Sequence, residues 1–258
     1  MHFIELHRDD RGVAEIRLAR PDKHNALCAQ MMTELEAVAR TLAREDAVRV
    51  VVLSAAGKTF CAGGDLAWMR EQFGMDRATR RVESARIAKA LGALYALPQP
   101  LIGRVQGNAF GGGVGLMSVC DLVVAADHAK LGLTEVRLGL IPANIGPYVI
   151  ARMGARNAQE VFMNARSFTA QEAVRLGLVN RVTESGALQD AVAAEVAHYL
   201  ACAPGAVREA KALLRRLSGE VTQDAVEGAI DALAERWETA EAHEGIASFL
   251  DKRPPPWA

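Results

Sequence analysis

Ala14, Ile16 and Leu18 alternate with Glu15 and Arg17, the period-two pattern of a strand with one buried face. Residues 3–7 precede it across the turn Asp10-Arg11-Gly12, which predicts a hairpin. Met32, Leu35, Ala39 and Leu42 then recur at helical spacing, with Glu34, Glu36, Arg40 and Arg44 on the other side. Residues 48–53 form a short apolar, β-branched run, the pattern of a strand buried on both faces. A glycine-rich loop over 57–65 leads to a predicted helix over 76–97, closed by Pro98 and Pro100. Residues 101–105 read as a strand, Gly111-Gly112-Gly113 opens an apolar helix, and 121–126 is the next strand. This strand-helix-strand rhythm predicts an α/β fold with right-handed crossovers. Thr169-Ala170-Gln171-Glu172 has the spacing of a capping box, and Gly177 sits where that helix should stop. From Gly186 onward the pattern is helical. Ala225, Ala229, Leu233, Trp237 and Ala240 form an apolar stripe on what reads as the last long helix, there to pack on the same body or on another subunit.

Bulk properties narrow the possibilities. The 258 residues suit one large domain, or a domain with an appendage, and a half-hydrophobic composition suits a sizeable core. A net charge of −1 gives no basic surplus for nucleic acid. Residues 1–10 carry Glu5, Arg8, Asp9 and Asp10 and do not read as a signal peptide. The most apolar stretch, 116–126, is broken by Asp121 and is too short to span a membrane. A cytoplasmic enzyme is the expectation, with no membrane or nucleic-acid partner. Cys28, Cys61, Cys120 and Cys202 show no metal-binding spacing and read as buried structural thiols.

Several common chemistries are absent from the motifs. Gly57-Lys58-Thr59 lacks the earlier glycine of a phosphate-binding loop, residues 107–115 do not fit GxGxxG, and neither GxSxG nor HExxH occurs. Two glycine-rich turns remain, Ala62-Gly63-Gly64-Asp65 and Gly111-Gly112-Gly113, each between a predicted strand and a helix. Such turns let a ligand approach the backbone, and helix starts offer free N–H groups. Two converging donors would make an oxyanion hole. Two tight strand-to-helix turns explain the same spacing equally well.

These segments resemble the enoyl-CoA hydratase/isomerase (crotonase) family. Phe60-Cys61-Ala62-Gly63-Gly64-Asp65-Leu66 looks like its first oxyanion loop, and Gly107-Asn108-Ala109-Phe110-Gly111-Gly112-Gly113 like its second. Leu133-Thr134-Glu135-Val136, followed by Leu138-Gly139-Leu140-Ile141-Pro142, is similar to its catalytic-glutamate segment. Lys23-His24-Asn25-Ala26-Leu27 looks like its CoA-contacting loop, and Ala247-Ser248-Phe249-Leu250-Asp251-Lys252-Arg253 resembles its C-terminal segment. The resemblance implies a spiral of βαβ turns over residues 1–195 and a helical oligomerisation region over 196–258, assembling as a homotrimer or a dimer of trimers. It implies N–H donors from Gly64 and Gly112 on a thioester oxygen, with Glu135 as the acid/base. The implied acyl-CoA contacts are Asn25, Ala26, Leu27, Ala62, Gly64, Asp65, Leu66 and Gly112, with Phe249 and Lys252 lent by a neighbouring subunit. No cofactor or metal is implied, because coenzyme A enters as part of the substrate.

One departure matters. Two-glutamate hydratases of the family carry a glutamate twenty residues before the second, and here that position is Gly115. Ala143-Asn144-Ile145-Gly146-Pro147 likewise replaces the family's Gly-Gly-Thr-Gln-like stretch. Both changes, with Asp65-Leu66-Ala67-Trp68-Met69, resemble a bacterial subgroup of the methylglutaconyl-CoA hydratase type, which takes branched, acidic acyl groups. Three functions follow: hydration of a 2-enoyl-CoA, isomerisation of an enoyl-CoA by Glu135 alone, and RNA binding as attributed to a relative. The segment 25–54 opposes the last, since Arg40, Arg44 and Arg49 are offset by Glu34, Glu36, Glu45 and Asp46. An acidic acyl group would need a cation, and Arg70, Arg77, Arg80, Arg81 and Arg86 follow the first loop. At least one is expected to face the pocket.

Overall fold

The protein is described from a computed structural model covering residues 1–219 and 221–257. Strands β1 (Ile4–Arg8) and β2 (Val13–Leu18) form the expected antiparallel hairpin, turned at Gly12 with φ 86°. Helix α1 (Ala29–Leu42) buries Met32, Leu35, Ala39 and Leu42, the stripe its spacing predicts. β3 (Val50–Ala55) is buried at every residue, for a simple reason. Val51 and Leu53 enter the main core, whereas Val50 and Val52 face a second cluster on the other side of the sheet.

Helix α2 (Leu66–Gln72) starts immediately after the first glycine loop. Asp65 caps it by accepting from the N–H groups of Ala67 (2.8 Å) and Trp68 (3.1 Å). α3 (Arg77–Tyr95), capped by Asp76, leads to β4 (Leu101–Val105). β5 (Ala109–Phe110), α4 (Gly112–Ser118), β6 (Leu122–Ala126) and β7 (Lys130–Gly132) follow. Next come α5 (Gly146–Phe162), β8 (Ser167–Thr169), α6 (Ala170–Arg175) and β9 (Arg181–Thr183). Thr169 caps α6 through the N–H of Glu172, as the capping box predicts. The chain ends in α7 (Leu188–Leu200), α8 (Pro204–Ser218), α9 (Gln223–Trp237) and α10 (Ala240–Leu250).

The larger sheet has the order β1-β2-β3-β4-β6-β9, parallel from β2 onward, and β5-β7-β8 form a second sheet. On one face of the larger sheet, the main core gathers residues of α1, α3, α4 and α5. On the other, α7 buries Leu188, Val192 and Val196 against Val50, Val52, Ile102 and Val124. The expected domain boundary between residues 195 and 196 therefore falls inside a helix that belongs to the sheet. The helices that follow start at α8, which is tied to the body by Arg208 donating to Asp46 and the Val48 carbonyl and by buried Lys211 donating to the Gln99 carbonyl and Asp121.

The apolar stripe expected on one helix is divided between two. α9 ends at Trp237, and Ala240 opens α10. Leu233 and Trp237 are buried within the chain, against Leu140, Ala143, Ala242 and Ile246. Their apolar surface is already covered, so these two cannot supply a subunit contact. Cys61 and Cys120 are buried, as structural thiols should be, but Cys28 is only half-buried and Cys202 is exposed. No helix among the described residues is long and apolar enough to cross a membrane.

Candidate active site

The two glycine loops lie against each other because strand-like pairing continues past the strands. Cys61 bridges Ala109 in parallel. The N–H groups of Phe60 and Cys61 both donate to Asn108 O, and Phe110 N–H donates back to Cys61 O at 3.0 Å. A Cβ at residue 113 would lie 2.5 Å from Cys61 O, so only glycine permits this approach. The early loop packs on the first glycine turn by main-chain bonds: Leu27 N–H to Gly63 O (2.7 Å) and Asp65 N–H to Leu27 O (3.0 Å). Gly64 thus bridges Leu27 while its own N–H points away from that pairing. Gly112 is the first residue of α4, where an N–H has no partner in the helix. Neither N–H has a main-chain acceptor among the described residues.

Both loops open into one cavity of about 860 Å³, counting its open mouth. Ala62, Gly64, Leu66, Gly112, Glu135 and Phe249 line it. Asn25, Ala26, Leu27 and Asp65, also expected to contact substrate, are buried behind the loop and do not line it. The Asn25 side chain is consumed by the fold, accepting from Arg20 N–H and donating to the carbonyls of Ala56 and Thr59. The Asp65 carboxylate is spent on the α2 cap and on Arg20 at 2.6 Å. Burial works against its ionisation, but those donors outweigh burial and hold its pKa below the ordinary aspartate value.

Glu135 opens a short 3-10 helix, Glu135–Leu138, just after β7. Its Oε1 lies where residue 111 would place a Cβ, 2.9 Å away, and Gly111 has φ 48°, so glycine serves both the turn and the carboxylate here. Glu135 Oε2 is buried without a hydrogen-bond partner. Burial pushes the carboxyl pKa from 4.5 up to about 7, although main-chain N–H groups of Glu135 and Thr134 pull the other way. A carboxyl with a pKa near 7 can both take and return a proton at neutral pH.

The arginine expectation is corrected, and Phe249 and Lys252 take these places within their own chain. Phe249 is 49% exposed and reaches the cavity of its own chain, because α10 folds back onto the segment after Glu135. Lys252 is exposed and does not line the cavity. None of the five arginines lines it either. Arg80 pairs with Glu238 and lies over the Trp237 ring at 5.4 Å. Arg81 pairs with Glu227 and Asp231, Arg77 with Glu235, and Arg86 with Glu83, while Arg70 is exposed. Four of them are thus engaged by acidic partners, and Arg77, Arg80 and Arg81 take theirs from α9 and its C-cap.

Residues the sequence reading did not place here complete the wall: Trp68, Gln72, Ser84, Asn144, Leu233 and Trp237. Helical spacing signals the burial of the last two but not what they surround. At Gly115 the finding is positive. A Cβ there would lie 2.5 Å from Ile145 Cγ2 and 3.2 Å from Leu91 Cδ1, so Ile145 fills the space beside residue 115. Gly115→Glu should therefore cost about 3 kcal/mol or more in stability and should not raise hydration activity. Thermal unfolding and an activity assay check this, and gained activity with unchanged stability would contradict it. No cluster of three metal-ligating side chains occurs among the described residues.

Comparison with known proteins agrees with this arrangement. The enoyl-CoA hydratase/isomerase family matches residues 8–258. This chain belongs to that family. The enoyl-CoA hydratase/isomerase assignment extends to full-length relatives. A putative enoyl-CoA hydratase of Thermus thermophilus is 36% identical over 94% of this chain and 96% of its own. The short-chain-enoyl-CoA hydratase of Clostridium acetobutylicum is 31% identical over 93% and 92%. The crystal structure of an enoyl-CoA hydratase from Mycobacterium smegmatis superposes with a TM-score of 0.81 at 35% identity, covering 100% of this chain and 99% of that one. The α/β architecture is accordingly the crotonase fold, and the protein is an enzyme of the hydratase/isomerase family.

Proposed function

We propose that the enzyme is a hydratase, a lyase that adds water across the double bond of a 2-enoyl-CoA or removes water to form it. The observation that carries this reading is the buried Glu135 carboxyl, its pKa near 7, in one cavity with the unpaired N–H groups of Gly64 and Gly112. In the addition direction, the Glu135 carboxylate accepts a proton from water while the hydroxyl bonds to the β-carbon. The C=C electron pair moves into a thioester enolate, whose oxygen is held by the two N–H donors. The α-carbon then takes the proton from Glu135, and carboxylate and enzyme are restored. Coenzyme A enters as part of the substrate, with Ala62 and Leu66 at the mouth of the cavity and Phe249 beside it.

The acyl group is neutral and short in this reading. A methylglutaconyl group would bring a carboxylate into a space lined by Trp68, Met69, Ile87, Leu140, Ile145 and Leu233, with no arginine or lysine on its wall among the described residues. The acidic-substrate expectation therefore lacks its cation. The Clostridium acetobutylicum relative named for short-chain enoyl-CoA supports the short acyl group. An acyl-CoA panel followed by loss of enoyl absorbance tests it: crotonyl-CoA should be turned over at least about tenfold faster than methylglutaconyl-CoA. The reverse preference would return the acidic reading.

Isomerisation is the second reading, favoured by the single carboxylate and by Ile145 beside Gly115. A 3-enoyl-CoA in the same panel separates the two. No role is given to nucleic acid: in the segment 25–54, Arg40 pairs with Glu36, and Arg49 donates to the carbonyls of Leu200 and Cys202. A homotrimer or dimer of trimers remains part of the proposal, as does a cytoplasmic location. The surface that suits assembly is the exposed row Leu213, Leu214 and Leu217 on α8.

A further inference from the structure

Hydration by a single carboxylate poses a geometric problem. Water has two O–H groups, and Glu135 takes the proton of only one. The attacking lone pair is aimed at the β-carbon only if the second O–H is also held. In the two-glutamate arrangement another carboxylate is available for this, whereas here residue 115 is glycine and Ile145 occupies the adjoining space.

The residue preceding Ile145 supplies an acceptor. Asn144 is only 6% exposed and lies between the buried Ala143 and Ile145, in the turn that leads into α5. The turn is fixed by Gly146 N–H donating to Ala143 O (3.0 Å) and Val149 N–H donating to Ile145 O (2.9 Å), which holds the main chain on either side of Asn144. Its Oδ1 is buried and has no hydrogen-bond partner among the described residues. A buried amide oxygen left unpaired is unfavourable and calls for an explanation, such as a ligand or water that completes it. Asn144 lines the same cavity as Glu135, whose Oε2 is likewise buried and unpaired. The two acceptors suit one molecule with two O–H donors.

We propose that Asn144 is a water-positioning residue, its side-chain oxygen accepting one O–H of the attacking water while Glu135 accepts the proton of the other. The inference rests on the hydratase reading. In the addition, the proton facing Glu135 transfers to its carboxylate and the oxygen bonds to the β-carbon. The O–H facing Asn144 stays intact and becomes the product hydroxyl, while the α-carbon receives the proton from Glu135. Asn144 neither gains nor loses a proton. In dehydration the same oxygen holds the departing hydroxyl.

Two activities of one enzyme separate this role from a structural one. Hydration of crotonyl-CoA needs the held water. Exchange of the α-protons of butyryl-CoA in D2O, followed by NMR, needs only Glu135 and the two N–H donors. Asn144→Leu keeps the approximate shape and removes the acceptor. It should lose about 100-fold in hydration kcat while exchange stays within about threefold of wild type. Asn144→Asp restores an acceptor and should recover hydration to within about tenfold of wild type. Asn144→Leu should also melt no lower than wild type, since it removes an unpaired buried polar atom. Near-normal hydration in Asn144→Leu would overturn the proposal. So would a parallel fall of hydration and exchange, which would place the effect on Glu135 or on packing. If the wild-type enzyme isomerises 3-enoyl-CoA or exchanges α-protons but hydrates no enoyl-CoA, the hydratase reading itself fails, and the role of Asn144 with it.

Discussion

Glu135→Gln is expected to lower kcat on the best acyl-CoA by about 10³-fold while CoA-ester affinity stays close to wild type. Glutamine keeps the shape and the buried position but cannot carry a proton between water and the α-carbon, a role that typically contributes 10²–10⁴-fold. Steady-state kinetics with direct ligand titration checks the split. The same substitution should stabilise the fold at high pH. In the wild type, burial raises the Glu135 pKa from 4.5 to about 7. A carboxyl raised in the folded state favours folding while protonated, so its contribution is complete below pH 4.5 and is lost as pH rises through about 7. Well above pH 7 the buried, unpaired carboxylate costs on the order of 3 kcal/mol. Glu135→Gln should therefore melt above wild type at pH 8, with the gap closing toward pH 5. Activity retained, or equal melting curves at both pH values, would remove Glu135 from the acid/base role. Wild-type kcat/KM should bend near pH 7 in the same series.

Deleting one oxyanion donor should have an effect of similar size. Residue 112 is the first of α4, a position where proline is tolerated because its missing N–H has no helical partner. Gly112→Pro removes that donor and should cost ~10²–10³ in kcat, or about 3–4 kcal/mol of transition-state stabilisation. Bulk is the confounding factor, since a Cβ here would lie 2.6 Å from Leu27 Cδ1. Gly112→Ala carries the same Cβ and keeps the N–H, and its contact is with a single terminal methyl of Leu27. Alanine should therefore retain most of the activity that proline loses, with similar melting temperatures for both. Equal losses in the two variants would assign the effect to crowding instead of the donor.

Local elements were legible along the chain where the signal is periodic and short in range. The hairpin at Gly12, the stripe of α1, the doubly buried β3, the capping box at Thr169 and the succession of late helices follow from residues close together in sequence. Glu135 and the two glycine loops were legible as a resemblance, because each motif is contiguous. The sheet β5-β7-β8 was not foreseen, because strands of two or three residues are too short to show a period.

Only the tertiary structure decided the chemistry of the pocket wall. Arg81 meets Glu227 and Asp231, about 150 positions along the chain, so its removal from the cavity is a long-range pairing that no local pattern encodes. Phe249 belongs to its own chain's cavity because α10 folds back after α9, a matter of packing and not of composition. Gly115 in the sequence is an absent carboxylate, whereas in the fold it is a position packed tightly by Ile145. Asn144 and the Glu135 carboxyl owe their character to desolvation, which depends on everything that surrounds a group once the chain has closed. The sequence determined which groups are available for catalysis, and the fold decided which of them are buried, paired or left with an unfilled hydrogen bond.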